Sequence, residues 1–426
     1  MARIGEWIMQ KEHSHIMLLQ GPVGPFFAEL HDALVAQGHS VDRVIFNAGD
    51  SVFSARESCL RFSGDLAAWE TWLRFRVARN TPDAIVLFGS SRPLHEIARR
   101  IAGCFGIDAI CLEEGYLRSG YIACETGGNN QYSALAHWTA RHRATGAWPT
   151  CPDVSPAGSP SFATMSLWGA LYYLVRDLLS DAADEALFHR PKERPLTLAV
   201  SWLAHITRRL IANVTELPRV RRLRARRGYM LVPLQVPTDS QLLLASRGWN
   251  TLRLVDACLQ AILRSGPNQR IIFKLHPLDR DGPSVRRRIR HRANELGLSR
   301  SRVQILNTGR IGELARNASG MVVINSTSAF SALHHDVPVL VLGDAVCRHD
   351  SVVTTGETES DVEAFFKIRH AKRRDMIDAF LADLKAQTLL AGDFYVASGR
   401  KTAIAGIIAR LTQLHAPTYA RKGAQQ

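Results

Sequence analysis

Short apolar runs alternate with amphipathic stretches along most of the chain, and the alternation starts twice. Residues 15–19 form the first run, followed by a turn and a helical pattern over 26–37. Further runs at 41–46, Ala84–Phe88 and 107–112 are separated by helical spacing. A proline-rich passage at 144–161 and a helical, strongly basic region from 162 to about 227 interrupt this order. It then resumes with runs at Tyr229–Pro233, Arg270–Lys274, Val303–Leu306, 321–324 and 337–342, and a helix near 252–263. Apolar runs too short for helices, alternating with helices, predict parallel sheets covered on both faces. Two such series in 426 residues predict an α/β chain of two Rossmann-like domains, over 1–195 and 196–396. A C-terminal helix and tail follow at 397–426, the helix at 401–414, able to pack back across the junction. Ligands of such sheets sit beyond the carboxyl ends of the strands, so the expected site is a cleft between the domains, faced by both sheets.

The formal net charge of +14 favours polyanionic partners. Nucleic acid is not expected among them, because no basic strand interleaved with aromatics and no known binding module is present. Seven scattered cysteines without a C-x-x-C pair fit neither a disulfide framework nor a zinc knuckle, and suit the reduced cytoplasm. No apolar run approaches the roughly 18–20 residues needed to span a bilayer. Residues 1–11 lack the apolar core of a secretory signal.

Three residue groups at the carboxyl ends of expected strands carry chemistry. Glu113 and Glu114 follow the run at 107–112. Adjacent residues on a strand point to opposite faces, so one carboxylate can face a cleft and accept a proton while the other braces the backbone. Lys274-Leu275-His276-Pro277 ends the run Arg270–Lys274, where the proline holds His276 extended at the strand tip, placed to donate to a phosphate oxygen. Asn325, Ser326, Thr327 and Ser328 precede a helical stretch and offer an anion site through hydroxyls and helix N–H groups. Each group alone is equally compatible with a turn, a structural histidine or a helix cap. The turn at 20–25, with Gln20, Gly21 and Gly24, is neither a dinucleotide fingerprint nor a P-loop.

In order, the three groups match the D/E-D/E-G, H-P and S-S/S-T motifs of bacterial sialyltransferases. Longer runs at 18–27, 46–50, 113–118, 232–241 and 332–339 resemble the capsule polysaccharide synthesis family, which includes Kdo transferases. The resemblance implies a GT-B fold and transfer of Kdo from CMP-Kdo to a lysophospholipid or a Kdo-primed glycolipid. It implies no cofactor and no metal. By motif, Glu113 and Glu114 are the catalytic pair, as nucleophile or base. Lys274, His276, Pro277, Asn325, Ser326, Thr327 and Ser328, with Gln235 and Asp239, fall on the donor side. Gln20, Gly21, Gly24, Asn47, Asp50 and Arg118 fall on the acceptor or cleft side. The chain departs from the family pattern at Ser119-Gly120, Ala48 and Asp336. A β-Kdo product would mean retention of configuration.

Two basic runs, Arg219 to Arg227 and Arg286 to Arg292, suit an anionic membrane surface and a lipid acceptor, as well as plain solvated helix faces. The expected location is the cytoplasmic side of the inner membrane, with other capsule assembly and export proteins as possible partners. The rival function is a non-catalytic component of polysaccharide or lipid export on the same fold.

Overall fold

The computed structural model describes residues 13–54, 59–117, 120–139, 160–188, 190–225, 228–236 and 240–415. The chain divides into two units. The first comprises residues 1–129, 141–192 and 383–426; the second comprises 130–140 and 193–382.

The first unit opens with β1 (His15–Leu18), α1 (Phe26–Ala36), β2 (Ser40–Ile45), α2 (Ala48–Val52), β3 (Cys59–Arg61) and α3 (Leu66–Arg79). β4 (Ala84–Phe88), α4 (Pro93–Phe105), β5 (Asp108–Glu114), β6 (Tyr121–Thr126), α5 (Pro160–Leu179) and α6 (Ala182–Glu185) follow. The second unit holds α7 (Pro195–Thr215), α8 (Leu217–Ala225), β7 (Tyr229–Pro233), α9 (Ser240–Leu244), α10 (Thr251–Leu263) and β8 (Arg270–Lys274). It continues with α11 (Gly282–Glu295), β9 (Val303–Leu306), α12 (Ile311–Ala315), β10 (Ala318–Val323), α13 (Ser328–Leu333), β11 (Val339–Val341) and β12 (Thr354–Thr355). After α14 (Glu359–Lys367), α15 (Arg374–Thr388) leads out of this unit to β13 (Leu389–Ala391) and α16 (Ala397–His415).

The first sheet runs β13-β6-β5-β4-β1-β2-β3. Its strands from β5 to β2 are parallel, and the central ones are apolar on both faces. Ile16, Leu18, Val86 and Ile110 pack toward α1 and α16, whereas Met17, Leu19, Ile85 and Leu87 pack toward α3 and α4. This is why β4 reads as five consecutive buried residues. The second sheet, β12-β11-β10-β7-β8-β9, is parallel throughout.

The structure corrects the sequence reading at three places. The first sheet is mixed, because β6 runs antiparallel to β5 and β13 antiparallel to β6. The domain limits differ from 196–396 and 397–426, because residues from 383 onward belong with the first unit. There β13 pairs with β6, and Ile404, Ile407 and Leu411 of α16 enter the core around Phe26. Phe394 is fully buried there, its ring edge-on to Phe26 at 4.9 Å and to Phe88 at 5.1 Å. A phenyl group so placed contributes about 1.5–3 kcal/mol. Residues 130–140 likewise group with the second unit, where Trp138 packs on Phe380 and His349.

Candidate functional site

In the first unit, Glu113 and Glu114 lie within β5, opposite Ala123 and Ile122 of β6, instead of after the strand. Glu113 is half-buried and Glu114 exposed. Gly115 has no left-handed backbone; it is glycine because a side chain there would strike the Tyr121 backbone carbonyl. The two carboxylates have different neighbours. Glu114 takes a hydrogen bond from the buried Tyr395 hydroxyl; burial first, then Glu114, push that phenol well above its ordinary pKa. Glu113 stands beside the Gly89 backbone, where a side chain would come 3.6 Å from Glu113 Oε2 and 3.4 Å from Arg92 Nε. His95, buried in the first turn of α4, donates from Nδ1 to the Gly89 carbonyl at 2.9 Å. Burial holds its pKa down to about 3, so the ring stays neutral.

Arg92 connects this edge to a buried polar network. Its Nη1 donates to Gln20 Oε1 at 2.8 Å. The Gln20 amide nitrogen donates to both Asp50 oxygens at 3.2 Å and to the Tyr172 hydroxyl at 3.0 Å. Tyr172 in turn donates to Asp50 at 3.1 Å, and Asn47 Nδ2 donates to Tyr172 at 3.0 Å. Burial pushes the Asp50 carboxyl up, while the Phe46 N–H, Gln20, Tyr172 and the nearby Arg43 charge oppose it. Gln20, Asn47 and Asp50 are thus brought together at the carboxyl ends of β1 and β2. Gly21 and Gly24 make room for the rings of Phe27 and Trp168 respectively. Arg118 lies outside the described residues.

In the second unit, the donor-side residues stand at the carboxyl ends of three adjoining parallel strands, β10, β7 and β8. Gln235, just past β7, donates to Asn325 Oδ1 at 2.9 Å, and Asn325 Nδ2 donates to the Ala245 carbonyl at 3.2 Å. Asn325 is therefore a brace between loops. Ser326 Oγ accepts the Ser328 N–H at 3.2 Å and donates to Ser328 Oγ at 3.1 Å, just ahead of the short α13, whose N-cap is Thr327. His276 Nδ1 accepts the Leu278 N–H at 3.1 Å. In the neutral ring this fixes the proton on Nε2, the tautomer that can donate outward. Asp239 lies outside the described residues.

Lys274 is buried, its Nζ donating to the carbonyls of Leu275 at 2.9 Å and Asn307 at 3.0 Å. His276 and Pro277 line a cavity of about 360 Å³ with His205 and three arginines, Arg208, Arg209 and Arg286, which outnumber its carboxylates, Glu216 and Asp279. Beneath it the buried Glu216 accepts the N–H groups of Asn307 at 2.7 Å and Thr308 at 3.1 Å and pairs with Arg286 at 2.8 Å. Ser326 and Thr327 do not line this cavity. Among the described residues, no group of three or more His, Cys, Asp or Glu is arranged to hold a metal ion.

Residues 83–395, from β4 through Tyr395, match the family described as "Capsule polysaccharide biosynthesis protein". The chain belongs to this family. Its capsule relatives include the capsule polysaccharide export protein KpsS of Escherichia coli, 32% identical over 82% of this chain and 90% of KpsS. The capsule polysaccharide modification protein LipB of Neisseria meningitidis serogroup B is 31% identical over 78% of this chain and 80% of LipB. A solved structure, the β-Kdo 2,7 transferase of Thermosulfurimonas dismutans KpsC, aligns over 93% of this chain and 99% of its own. Its identity is 12% and its TM-score 0.42, too distant to bear on function.

The part shared with the capsule family contains both glutamates, His276 and Ser326-Thr327, whereas Gln20, Asn47 and Asp50 precede it. Sequence reasoning missed Arg92, His95, Tyr172 and Glu216. Arg92 had a usable signal, since Gly89-Ser90-Ser91-Arg92 follows a strand end as the three chosen groups do. Tyr172 and Glu216 sit on α5 and just past α7 with no local pattern to mark them.

Lys274 gives a pH signature. Burial lowers its pKa from 10.5 to about 8, with Glu216 opposing and Arg209 assisting. Between these values the folded protein holds fewer protons than the unfolded chain, so stability rises with pH across the window and the full cost is present below about 8. The melting temperature of the wild type should therefore rise from pH 8 to 10.5 relative to that of Lys274→Met. Parallel curves for the two proteins would show that Lys274 is not the group responsible.

Proposed function

We propose that this chain is a glycosyltransferase of capsule polysaccharide assembly, moving Kdo from CMP-Kdo to a lysophospholipid or Kdo-primed glycolipid. The observation that carries the reading is the convergence of Gln235, Lys274-His276 and Asn325-Ser326 at the ends of three neighbouring parallel strands, beside a cationic cavity. Strand ends of this kind are where α/β sheets hold phosphate-bearing ligands. In this reading the His276 Nε2–H, Lys274 and the hydroxyls of Ser326 and Thr327 meet the charge that develops on departing CMP. No divalent cation takes part, and no organic cofactor is needed.

A carboxylate of the Glu113-Glu114 pair completes the reaction. As base, it takes the acceptor hydroxyl proton while the acceptor oxygen displaces CMP from the anomeric carbon. As nucleophile, it displaces CMP itself, and the acceptor oxygen then releases the sugar from the ester. The first course inverts configuration and the second retains it, so the product anomer separates them. Acceptor recognition is assigned to the first unit, around Gln20, Asn47 and Asp50, with Arg118; the donor side includes Asp239. The setting is the cytoplasmic face of the inner membrane, among other capsule assembly and export proteins.

The test is a product assay by mass spectrometry with CMP-Kdo and lysophosphatidylglycerol or its Kdo-extended form. Release of CMP with a matching gain of one Kdo on the lipid is expected. His276→Ala should weaken CMP-Kdo binding roughly 10–100-fold, the loss of one charge-assisted hydrogen bond. Absence of turnover with both acceptors would overturn the transferase reading in favour of a non-catalytic export component.

A further inference from the structure

α7 is packed the wrong way round for a helix surrounded by water. Among its described residues the inward side carries no aliphatic stripe: Ala212 is buried, Trp202 packs on His205, His205 Nε2 donates to the Pro277 carbonyl at 2.9 Å, and Ser201 Oγ accepts from Arg280 at 2.8 Å. Its outward side is aliphatic. Leu196, Val200, Leu203, Leu210 and Val214 recur at helical spacing and are 60–78% exposed. Helices of globular proteins normally turn such a stripe inward.

The charges around the stripe say what covers it. Arg208 and Arg209 lie on the far side of α7 from the stripe, lining the cavity with His205, while the exposed Arg219, Arg221 and Arg222 follow on α8. Residues 194–225 hold seven arginines and a single acid, Glu216, which is buried and paired with Arg286. α5 in the other unit has its own leucine stripe, but its only charged residues, Arg176 and Asp177, are buried and paired at 2.6 Å. A second copy of this chain would bring the same arginines face to face and be repelled. Among the described residues, no helix is long and apolar enough to cross a membrane.

We infer that α7 and α8 form a seat for an anionic lipid bilayer, with α7 lying in the plane of the interface. The aliphatic stripe enters the headgroup and acyl boundary, while the α8 arginines keep their guanidinium groups among lipid phosphates. This seat is independent of the transfer reaction, and the cavity lined by His205 and Arg208 lies across α7 from the lipid-facing stripe.

The full chain, with no sugar donor present, is mixed with vesicles of phosphatidylcholine alone or in equal parts with phosphatidylglycerol, and the bound fraction is read by flotation. Binding to the phosphatidylglycerol vesicles that weakens with salt is expected. Leu203→Glu with Leu210→Glu should lower the partition coefficient by roughly 100-fold, about tenfold per buried leucine. Leu203→Phe with Leu210→Phe should keep it, which separates insertion from misfolding. Arg219→Gln, Arg221→Gln and Arg222→Gln together should reduce binding toward the level on phosphatidylcholine alone. Wild-type protein that stays unbound, glutamate variants that float as well as wild type, or a stripe whose mutation instead dissociates a dimer in sedimentation would each overturn the seat.

Discussion

Glu113→Gln should reduce the proposed transfer from CMP-Kdo by a factor on the order of 10³ or more, with an unchanged melting temperature. The amide keeps the shape and the hydrogen-bonding reach of the carboxylate but can neither accept a proton nor attack a carbon, so the loss falls on the chemical step. The pair is equivalent in sequence and unequal in structure. Glu114 is bonded to buried Tyr395, while Glu113 lies with Arg92 at the Gly89 turn, the edge that leads through Gln20 to Asp50. Glu114→Gln should therefore cost only about tenfold, because its amide can still hold Tyr395 through one of the hydrogen bonds that position the strand end. KM and kcat measured for both variants decide the assignment. A Glu114 variant that is dead beside a Glu113 variant near wild type would reverse the two roles.

The second large effect concerns stability. Glu216 is buried and satisfies two backbone N–H groups, the Asn307 side-chain amide at 3.0 Å and the Arg286 guanidinium. Glu216→Ala leaves these donors and one cation without their partner. Breaking a buried pair in this way costs about 3–5 kcal/mol. For a unit of this size that corresponds to a drop in melting temperature on the order of 10 °C. Glu216→Gln keeps one accepting oxygen for the Asn307 and Thr308 N–H groups but sets an NH2 donor against Arg286 and the Asn307 amide, so its melting temperature should fall between those of wild type and the alanine variant. Differential scanning calorimetry measures all three, and an alanine variant as stable as wild type would show the cluster to be dispensable.

The parallel strands were legible because burial on both faces writes itself as an unbroken apolar run. Ala84–Phe88, Tyr229–Pro233, Arg270–Lys274 and Val303–Leu306 have the same limits in the chain and in the fold. β6 was not legible. Tyr121–Thr126 ends in Glu125 and Thr126, and its pairing with β5 depends on a chain reversal around Gly115 and Gly120. β13 is three residues long, too short to carry a period, and its partner is more than 260 positions away. The site shows the same division. Residues clustered at one strand end, such as His276-Pro277 and Ser326-Thr327, stand out locally. Tyr172 joins Gln20 and Asp50 from a helix over 120 residues distant, and only the tertiary fold brings it there.

The return of β13 and α16 to the first sheet sets an order on biosynthesis. While the chain is being made, residues 193–382 are complete and can settle before the first unit has the strand that closes its β6 edge. Until residues 389–411 emerge, the β6 backbone has an open edge and the core around Phe26 lacks Phe394, Ile404 and Ile407. An open edge over an incomplete core is prone to pair with other chains. The first unit to be translated is thus the last to be finished, and its exposure to aggregation lasts about as long as translation of the second.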